Sequence, residues 1–283
     1  MTVVGVMHPG SMGAAVAEQM VRAGSSVLWC GMGRSPVTRR RAGVAGLTET
    51  ATLAELVARS EVILSLCPPA NAEQVAGHVA SLGFSGVYVE ANAISPARVG
   101  RITALLGDTA AAVVDGAVVG SPPREGKATR LYLSGQGGAV RSVADLFAGT
   151  AVEARILAGG SGKASALKLS YSSYQKASRV LAAVSFGLAA AHGVQEELLD
   201  IAAQRTTNYL SEVDYIPKAA ARSWRWAPEM EEAADTLRAA GLPTDFAAAA
   251  AAVMIHWQGA KDSELTVEDA LLRLSSALPD GTD

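Results

Sequence analysis

The chain has 283 residues, of which 49% are hydrophobic and 18% charged, a balance typical of globular proteins long enough for two domains. The net charge is −3 and no basic run exceeds Arg39-Arg40-Arg41, which argues against nucleic acid as a partner because backbone phosphates require a sustained basic surface. Two cysteines and four scattered histidines form neither a disulfide framework nor a metal-ligand spacing, so no metal is expected.

No uncharged run approaches the ~18–20 residues that are needed to cross a bilayer. The first residues carry no basic segment ahead of an apolar one, as a secretory signal would. We therefore expect a cytoplasmic protein with no membrane partner.

The first half of the chain alternates apolar runs with helical segments, the pattern of a parallel sheet with helical crossovers. Continuously apolar runs predict strands that are buried on both faces. These strands are predicted at residues 2–7, 27–30, 61–66, 86–90 and 111–114, with 130–134 and 152–157 as possible extensions of the sheet. Helices are predicted at 12–23, 52–59, 71–81 and 96–106.

The composition changes after Gly159-Gly160-Ser161-Gly162. Residues 163–191 contain no proline and a single glycine, and they predict one helix of roughly 40 Å. Further helical segments are predicted at 195–212, 228–240, 244–257 and 266–277. We therefore predict an α/β Rossmann domain over residues 1–160, followed by an all-α domain over 161–283, with the long helix linking the two.

The turn after the first strand carries two of the three glycines of a dinucleotide-binding fingerprint, with His8 at the position of the first. Gly10 lets a pyrophosphate approach the backbone, and Gly13 lets the helix pack close to the strand. The start of the helix also favours a phosphate. The residues expected to bind the cofactor here are Pro9, Gly10, Ser11, Met12 and Gly13. An ordinary strand–turn–helix is the alternative.

The end of the second strand indicates which nucleotide binds. An NAD-selective site usually carries an acidic residue there, and the sequence Cys30-Gly31-Met32-Gly33 supplies none. Arg34 and Ser35, followed by Thr38, are suited to charge-assisted hydrogen bonds with a 2′-phosphate. The sequence thus favours NADPH/NADP⁺ as the cofactor, and the alternative is a solvated basic loop.

Two further strand ends offer cofactor contacts, because ligands bind at the carboxyl edge of open α/β sheets. Cys67 and Pro68 follow the strand at 61–66, and Cys67 either packs against a nicotinamide or serves as an inert apolar residue. Asn92 follows the strand at 86–90, with a helix-capping turn as its alternative role.

The long helix supplies the candidate catalytic residue. Lys168 shares a stripe with Ser165 and Ser172 near the start of the helix. An ammonium group there is suited to polarise a carbonyl oxygen or to protonate an alkoxide during hydride transfer. A surface lysine that lies along apolar neighbours is the alternative. Tyr171 and Trp224 are aromatic candidates for an apolar substrate pocket, although core packing is as good an interpretation of either.

Four motifs resemble the β-hydroxyacid dehydrogenase and 6-phosphogluconate dehydrogenase-like superfamily, which includes the imine reductases. The motifs are Gly10-Ser11-Met12-Gly13, Asp115-Gly116-Ala117-Val118-Val119-Gly120-Ser121, the glycine-rich entry to the helix of Lys168, and Arg225-Trp226-Ala227-Pro228-Glu229-Met230-Glu231-Glu232 with Gly241-Leu242-Pro243 after it. The last motif is similar to a less characterised branch, which also favours a His-Pro-Gly turn. The resemblance covers nearly the whole chain.

The resemblance implies an oxidoreductase that transfers a hydride from a nicotinamide to a carbonyl or imine carbon of a small-molecule substrate, or in the reverse direction. By this resemblance, Lys168 occupies the position of the family's catalytic lysine, and Ser121 binds the carboxylate or an equivalent oxygen of the substrate. The resemblance also implies an intertwined homodimer. Three departures from the hydroxyacid enzymes stand out: Ser172 replaces an asparagine, Pro228 and Glu229 replace a lysine–aspartate pair, and Ser121-Pro122-Pro123 loses a glycine. Ser172 and Glu229 are therefore candidates for substrate contact.

These observations lead to one main hypothesis and two alternatives. The main hypothesis is an enzyme that interconverts a carbonyl and an alcohol with Lys168 as general acid/base. The first alternative is an imine reductase of the same superfamily, and the second is a redox sensor that binds NADPH without turnover.

Overall fold

The computed structural model describes residues 1–275 apart from 111, 125, 205, 206, 208, 210 and 211, and only the backbone of twelve helix residues between 176 and 239. The chain forms two compact units, Met1–Tyr174 and Gln175–Asp283. The first unit includes the opening turns of the long helix. The predicted domain boundary at residue 160, drawn at the start of that helix, stays a prediction.

The first unit is built on one sheet of eight strands, in the order β3-β2-β1-β4-β5-β6-β7-β8. The strands are β1 (Val3–Val6), β2 (Ser26–Cys30), β3 (Thr48–Thr50), β4 (Val62–Ser65), β5 (Val87–Glu90), β6 (Ala112–Val119), β7 (Thr129–Gly135) and β8 (Val152–Ile156). Only the β6–β7 pair is antiparallel among these neighbours. The order reverses direction between β1 and β4, as it does in a Rossmann sheet. The predicted fold class is confirmed.

Helices cover both faces of this sheet. They are α1 (Ser11–Arg22), α2 (Pro36–Val44), α3 (Leu53–Arg59), α4 (Ala72–Ser81), α5 (Pro96–Leu106) and α6 (Gly137–Asp145), followed by α7 (Lys163–Ala191). Neighbouring strand residues such as Ile63 and Leu64 belong to separate buried clusters, because successive side chains of a strand point to opposite faces. The sheet is therefore buried on both sides, as the continuous apolar runs predict.

Sequence analysis missed β3, α2 and α6. The strand β3 has only three residues, Thr-Glu-Thr, of which two are exposed. Helix α2 buries only Ala42, so it lacks an apolar stripe, and α6 begins with Gly137-Gly138, which are poor helix formers. Each of these elements forms on the framework of the sheet without a strong local pattern of its own.

Within its described residues, the second unit consists of the rest of α7 and four further helices, α8 (Gln195–Ala203), α9 (Ile216–Ala239), α10 (Asp245–Met254) and α11 (Val267–Ser275). The predicted helix at 195–212 is too long, since α8 ends at Ala203 and Val213–Tyr215 form a 3₁₀ turn. The predicted start at Pro228 is also wrong, because Pro228 lies inside α9. Proline suits the first turn of a helix, which is why the sequence favoured a boundary there.

None of the helices in the described ranges is long and apolar enough to traverse a membrane.

An apolar cavity of about 670 Å³ opens in the second unit. It is lined by residues of α7, α8, α9 and α10, among them Leu181, Leu188, Leu198, Ile201 and Phe246. Helix α8 has no buried residue, even though it contains large apolar side chains: Leu199 is 56% exposed and Ile201 is 66% exposed. The cavity and α8 therefore both present aliphatic side chains at the surface of this unit.

A row of buried polar side chains crosses the sheet at the level where β4 and β5 end. Ser65 pairs in register with Glu90, Glu90 with Asp115, and Asp115 with Ser134. All four residues are fully buried. Paired residues of neighbouring strands share a face, so two carboxyl groups lie side by side between two hydroxyl groups.

Glu90 belongs to this row, and its acidity is altered by its surroundings. Burial raises its pKa to about 7, and the neighbouring Asp115 adds to that increase, while hydrogen bonding by Asn92 opposes it. Its Oε1 atom accepts a hydrogen bond from the Asn92 backbone N–H at 2.9 Å. Its Oε2 atom has no hydrogen-bond partner within the described part of the chain. Glu90 therefore holds a proton up to about neutral pH.

We expect the substitution Glu90→Gln to flatten the dependence of stability on pH. The folded-state pKa of Glu90 lies above its ordinary value, so the native protein binds the extra proton and loses stability as pH rises toward 7. Between pH 5 and pH 8 the wild-type protein should lose about 2 kcal/mol more unfolding free energy than the variant. Urea unfolding at several pH values measures this difference. The surface variant Glu18→Gln is the control, and parallel pH profiles for wild type and Glu90→Gln would contradict the expectation.

Candidate cofactor and active site

The nucleotide turn lies between the end of β1 at Val6 and the start of α1 at Ser11. A side chain at Gly13 would place its Cβ 2.3 Å from the backbone oxygen of His8, so the packing of the turn itself excludes any other residue there. A Cβ at Gly10 would meet nothing closer than 3.5 Å. No side chain of the described residues caps α1, which begins at the exposed Ser11. The start of this helix is therefore open to an anion.

The other residues of the turn differ in exposure. Pro9 is buried, whereas Met12 is half-buried. Pro9 thus belongs to the packing of the turn, and Ser11 and Met12 are the residues at its accessible rim.

Arg34 is bonded to the nucleotide turn. Its Nη1 atom lies 2.8 Å from Nδ1 of His8, and its Nη2 atom donates to the Met7 carbonyl at 3.1 Å. A guanidinium can only donate, so Nδ1 of His8 accepts. Burial lowers the pKa of His8, and the charges of Arg34 and Arg41 lower it further, which keeps the imidazole neutral and able to accept. His8 thus has a specific role at the position of the missing first glycine.

Ser35 and Thr38 are paired with each other at the start of α2. The Ser35 hydroxyl accepts from the Thr38 N–H at 3.3 Å and lies 3.1 Å from the Thr38 hydroxyl. Ser35 is exposed and Thr38 is half-buried. Capping of α2 thus accounts for both residues locally, and the Ser35 hydroxyl remains accessible.

The structure corrects one inference about this region. Sequence analysis found no carboxylate at the end of β2, yet Glu49 of β3 lies there, because it pairs in register with Trp29. A Cβ at Gly31 would be 1.9 Å from Oε1 of Glu49. Glu49 forms an ion pair with Arg39, which also donates to the Gly31 carbonyl at 2.7 Å. The carboxylate is thus neutralised by a neighbouring guanidinium.

A cavity of about 230 Å³ lies at the carboxyl ends of β1, β2 and β4. Three of the candidate or fingerprint residues line it, namely His8, Arg34 and Cys67. Its other polar lining includes Asn71 and His78, which sequence analysis did not identify because both lie on or beside α4, far from any recognisable motif. The cavity is smaller than the ~300–1,000 Å³ of pockets that enclose a whole ligand, so it suits one part of a dinucleotide.

Asn92 joins the ends of β4 and β5. Its Oδ1 atom accepts from the Cys67 N–H at 2.6 Å, and its Nδ2 atom donates to the Ser65 hydroxyl at 3.1 Å. The residue is buried, and α5 is capped by Ser95 instead, which rules out helix capping as the role of Asn92. Asn92 therefore shapes the strand ends on which Cys67 sits.

Cys67 and the exposed Pro68 follow β4. Burial raises the pKa of the Cys67 thiol, and the nearby Glu90 raises it further. The thiol therefore stays protonated at neutral pH and is a poor nucleophile.

Lys168 lies in the second turn of α7 and is half-buried. Its Nζ atom donates to the Val118 carbonyl at 2.7 Å. Val118 is near the end of β6, three residues before Ser121, so the structure brings Lys168 to the loop that contains the candidate substrate residue. Gly120 turns this loop with a φ of +128°, and the Ser121 carbonyl accepts a hydrogen bond from the Thr129 hydroxyl.

The remaining substrate candidates are distributed over both units. Ser172 is buried one turn after Lys168, and its neighbour Tyr171 is 37% exposed. In the second unit, Trp224 is exposed and Lys261 Nζ lies 4.4 Å above its ring. The side chain of Glu229 lies outside the described residues. Among the described residues no group of three potential ligands could hold a metal ion.

Asp115 belongs to the motif Asp115–Ser121, but the sequence alone does not indicate a role for it. Its carboxyl group accepts hydrogen bonds from the Ser134 hydroxyl at 2.9 Å, the Ser165 N–H at 3.0 Å and the Ser165 hydroxyl at 2.5 Å. The only signal in the sequence is a charged residue directly after the strand predicted at 111–114. A carboxyl group that is buried there requires hydrogen-bond partners, and these lie far away in the chain.

Solved structures share this fold across nearly the whole chain. An imine reductase from Pseudomonas sp. is 20% identical with a TM-score of 0.69 and covers 96% of this chain and 99% of its own. A reductive aminase from Aspergillus terreus, in complex with NADPH and ethyl levulinate, is 18% identical with a TM-score of 0.74 and covers 96% of this chain and 98% of its own. A conserved protein of unknown function, described as similar to 3-hydroxyacid dehydrogenases, is 24% identical with a TM-score of 0.59 and covers 91% of this chain and 98% of its own.

No curated protein is significantly similar to the chain in sequence. Residues 189–257 match a family described only as a domain of unknown function. Residues 3–160, more than half of the chain, match the NAD binding domain of 6-phosphogluconate dehydrogenase, and the chain belongs to that family.

Proposed function

We propose that the protein is an NADPH-dependent oxidoreductase that transfers a hydride between the nicotinamide and a small carbonyl or alcohol substrate. The observation that carries this proposal is the bond from Lys168 Nζ to the Val118 carbonyl, which holds an ammonium group beside the loop of Ser121. Its acceptor Val118 belongs to strand β6, within the residues that match the NAD-binding family. The cytoplasmic location stays a prediction.

The residues at the carboxyl edge of the sheet fit a dinucleotide. The turn leaves space beside Gly10, and α1 begins without a side-chain cap among the described residues, so backbone N–H groups can receive a pyrophosphate. Arg34, held by His8, supplies a fixed positive charge beside this turn. With Ser35 nearby, this charge supports binding of a 2′-phosphate.

NADPH supplies the hydride when it is bound, and the protein has to supply the proton. Lys168 is suited to donate a hydrogen bond to the substrate oxygen and to transfer a proton to it as negative charge develops there. Ser121, exposed in the adjacent loop, is suited to hold a second polar group of the substrate. In the direction of alcohol oxidation, Lys168 takes the proton back.

The charge of Lys168 bears on the choice between carbonyl and imine substrates. A carbonyl oxygen becomes negative during reduction and is stabilised by a nearby ammonium group. A protonated imine is already positive, so the same ammonium group would repel it. The electrostatics therefore favour the carbonyl. The alternative, an imine reductase, is favoured by Ser172 in place of the asparagine of hydroxyacid enzymes and by the similarity to solved imine reductases.

The apolar cavity of the second unit supports a homodimer, with a second copy of the chain as its occupant. Helix α8 exposes Leu199 and Ile201, of which Ile201 lines this cavity, and burial of both residues in an interface would remove them from water. The resemblance to dimeric enzymes points to the same assembly.

The proposed activity is tested by a panel of aldehydes, 2-keto acids and cyclic imines with NADPH. We expect carbonyl reduction, and we expect Lys168→Ala to lower turnover by about 100-fold while leaving NADPH affinity unchanged, because it removes only the proton donor. The matched control is Lys163→Ala, an exposed lysine in the first turn of the same helix. Full activity of Lys168→Ala would falsify the role of this lysine. Turnover restricted to imines would favour the alternative, and NADPH binding without any turnover would favour a sensor.

Cofactor selectivity is tested at Arg34. We expect Arg34→Ala to weaken NADPH binding by about 10-fold or more, since a charge-assisted bond to the 2′-phosphate is lost, and to leave NADH binding nearly unchanged. Fluorescence titration with both nucleotides measures the two dissociation constants. Glu49→Gln is the comparator, because Glu49 is the carboxylate nearest the end of β2. A wild-type preference for NADH that Glu49→Gln abolishes would contradict the proposed selectivity.

The dimer is tested by a charge in the apolar cavity. We expect Ile201→Asp to raise the dimer dissociation constant by about 100-fold or more, because an unpaired carboxylate would have to be buried in the interface. Analytical ultracentrifugation over a range of concentrations measures the change. Leu271→Asp, at a similarly exposed leucine of α11 outside the cavity, is the control. A monomeric wild-type protein, or an unaffected dimer in Ile201→Asp, would contradict this assembly.

A further inference from the structure

The first turn of α7 is capped by residues that are distant in the chain. The Ser165 N–H donates to Asp115 of β6 at 3.0 Å, and the Ala164 N–H donates to the Ser134 hydroxyl of β7 at 3.1 Å. Ser134 in turn donates to the Asp115 carboxyl at 2.9 Å. Two strands of the sheet thus provide partners for N–H groups that a helix cannot satisfy from within.

The segment before α7 explains why the cap has to come from elsewhere. A helix is usually capped by a serine, threonine or aspartate just before its first turn. Here that position is Gly162, and Gly159, Gly160 and Gly162 all have positive φ angles. A glycine has no side chain with which to cap, so the buried carboxyl group of Asp115 takes that role. A negative group is also favoured at the positive end of the helix dipole.

This cap and Lys168 lie on the same side of the helix. Ser165 and Lys168 are three residues apart, so they occupy neighbouring positions on one face of α7. Their partners on β6, Asp115 and Val118, are also three residues apart, roughly 10 Å along the strand. The helix and the strand are therefore joined at two points, Asp115 with Ser165 and Val118 with Lys168. Two such points fix both the rotation and the axial position of the start of α7.

We propose that Asp115 is a positioning residue for Lys168: by capping α7 from strand β6, it sets the place at which the ammonium group meets the loop of Ser121. The proposal rests on the catalytic role of Lys168 proposed above. Asp115 acts through the helix and takes no part in proton transfer. A lysine side chain has four rotatable carbons, so the position of its backbone decides which atoms its ammonium group can reach.

The test uses the full-length protein and three variants. Asp115→Asn keeps the shape of the side chain and loses one acceptor oxygen. Ser165→Ala removes a single hydroxyl bond, retains the N–H bond to Asp115, and is the milder variant should Asp115→Asn fold poorly. The matched control is Thr50→Val, since Thr50 is equally buried and donates to the Trp29 carbonyl at 3.2 Å. Thr50 lies on the edge strand β3, which four other strands separate from β6.

Two readouts do not depend on enzyme activity. The first is amide hydrogen exchange of the peptide that contains residues 163–170, and the second is the rate at which acetic anhydride labels Lys168 relative to the exposed Lys127. We expect both rates to rise several-fold in Asp115→Asn, less in Ser165→Ala, and not at all in Thr50→Val, because only the first two loosen the start of α7.

Steady-state kinetics supply the third readout. We expect turnover to fall by about 10-fold or more in Asp115→Asn with unchanged NADPH affinity, because small misplacements of a catalytic group cost rate and not cofactor binding. Unchanged exchange and labelling in Asp115→Asn would overturn the proposal, and so would a loss of turnover in which Lys168 labels as in wild type. Activity of Lys168→Ala bears on the proposed function alone, so the two failures are distinguishable.

Discussion

The pair of buried carboxyl groups, Glu90 and Asp115, is the constraint on which the arrangement of the candidate site depends. Neighbouring strands place them side by side on one face of the sheet, away from solvent. Such groups are tolerated only where a proton or hydrogen-bond donors compensate for the lost water. Glu90 keeps its proton, whereas Asp115 collects donors from β7 and from the start of α7. The requirement to satisfy Asp115 therefore brings the helix of Lys168 onto the sheet.

At the nucleotide turn, a positive group likewise needs hydrogen-bond partners from the folded chain. Neutral His8 and the Met7 carbonyl provide acceptors that hold Arg34 near the turn, where the proposed function places a phosphate. A glycine at position 8 would permit the turn but could not accept from the guanidinium. Arg39 and Glu49 neutralise each other beside Gly31, which leaves the positive charge of Arg34 uncompensated by that carboxylate. The lack of a glycine at position 8 is thus consistent with a binding site for an anionic cofactor.

The sequence predicts those parts of the fold and site that depend on local patterns. The run Val3–Val6 is apolar throughout and Val62–Ser65 is apolar up to its last residue, so their burial in a parallel sheet could be inferred directly. The polar β3 and the weakly amphipathic α2 could not be predicted in this way, because neighbouring elements stabilise them and not an apolar pattern of their own. The roles of Glu49 and Asp115 were missed for a related reason. Strand register brings Glu49 to the end of β2, and a contact between residues 50 positions apart brings Asp115 of β6 to the start of α7. Pro228 inside α9 shows that a boundary signal can be overridden by the packing around it.

Lys168 and Arg34, the two cationic side chains of the candidate site, are both long and flexible, and hydrogen bonds within the folded chain fix both of them. Lysine and arginine side chains lose considerable rotamer entropy when they are fixed. If ligand binding had to supply that ordering, affinity and rate would both suffer. Lys168 is instead bonded to a carbonyl of β6, and Arg34 to a carbonyl and an imidazole of the nucleotide turn, within the folded chain itself. The ordering of both groups is therefore part of folding, so in the proposed mechanism the positive charges are in place before a substrate or cofactor binds.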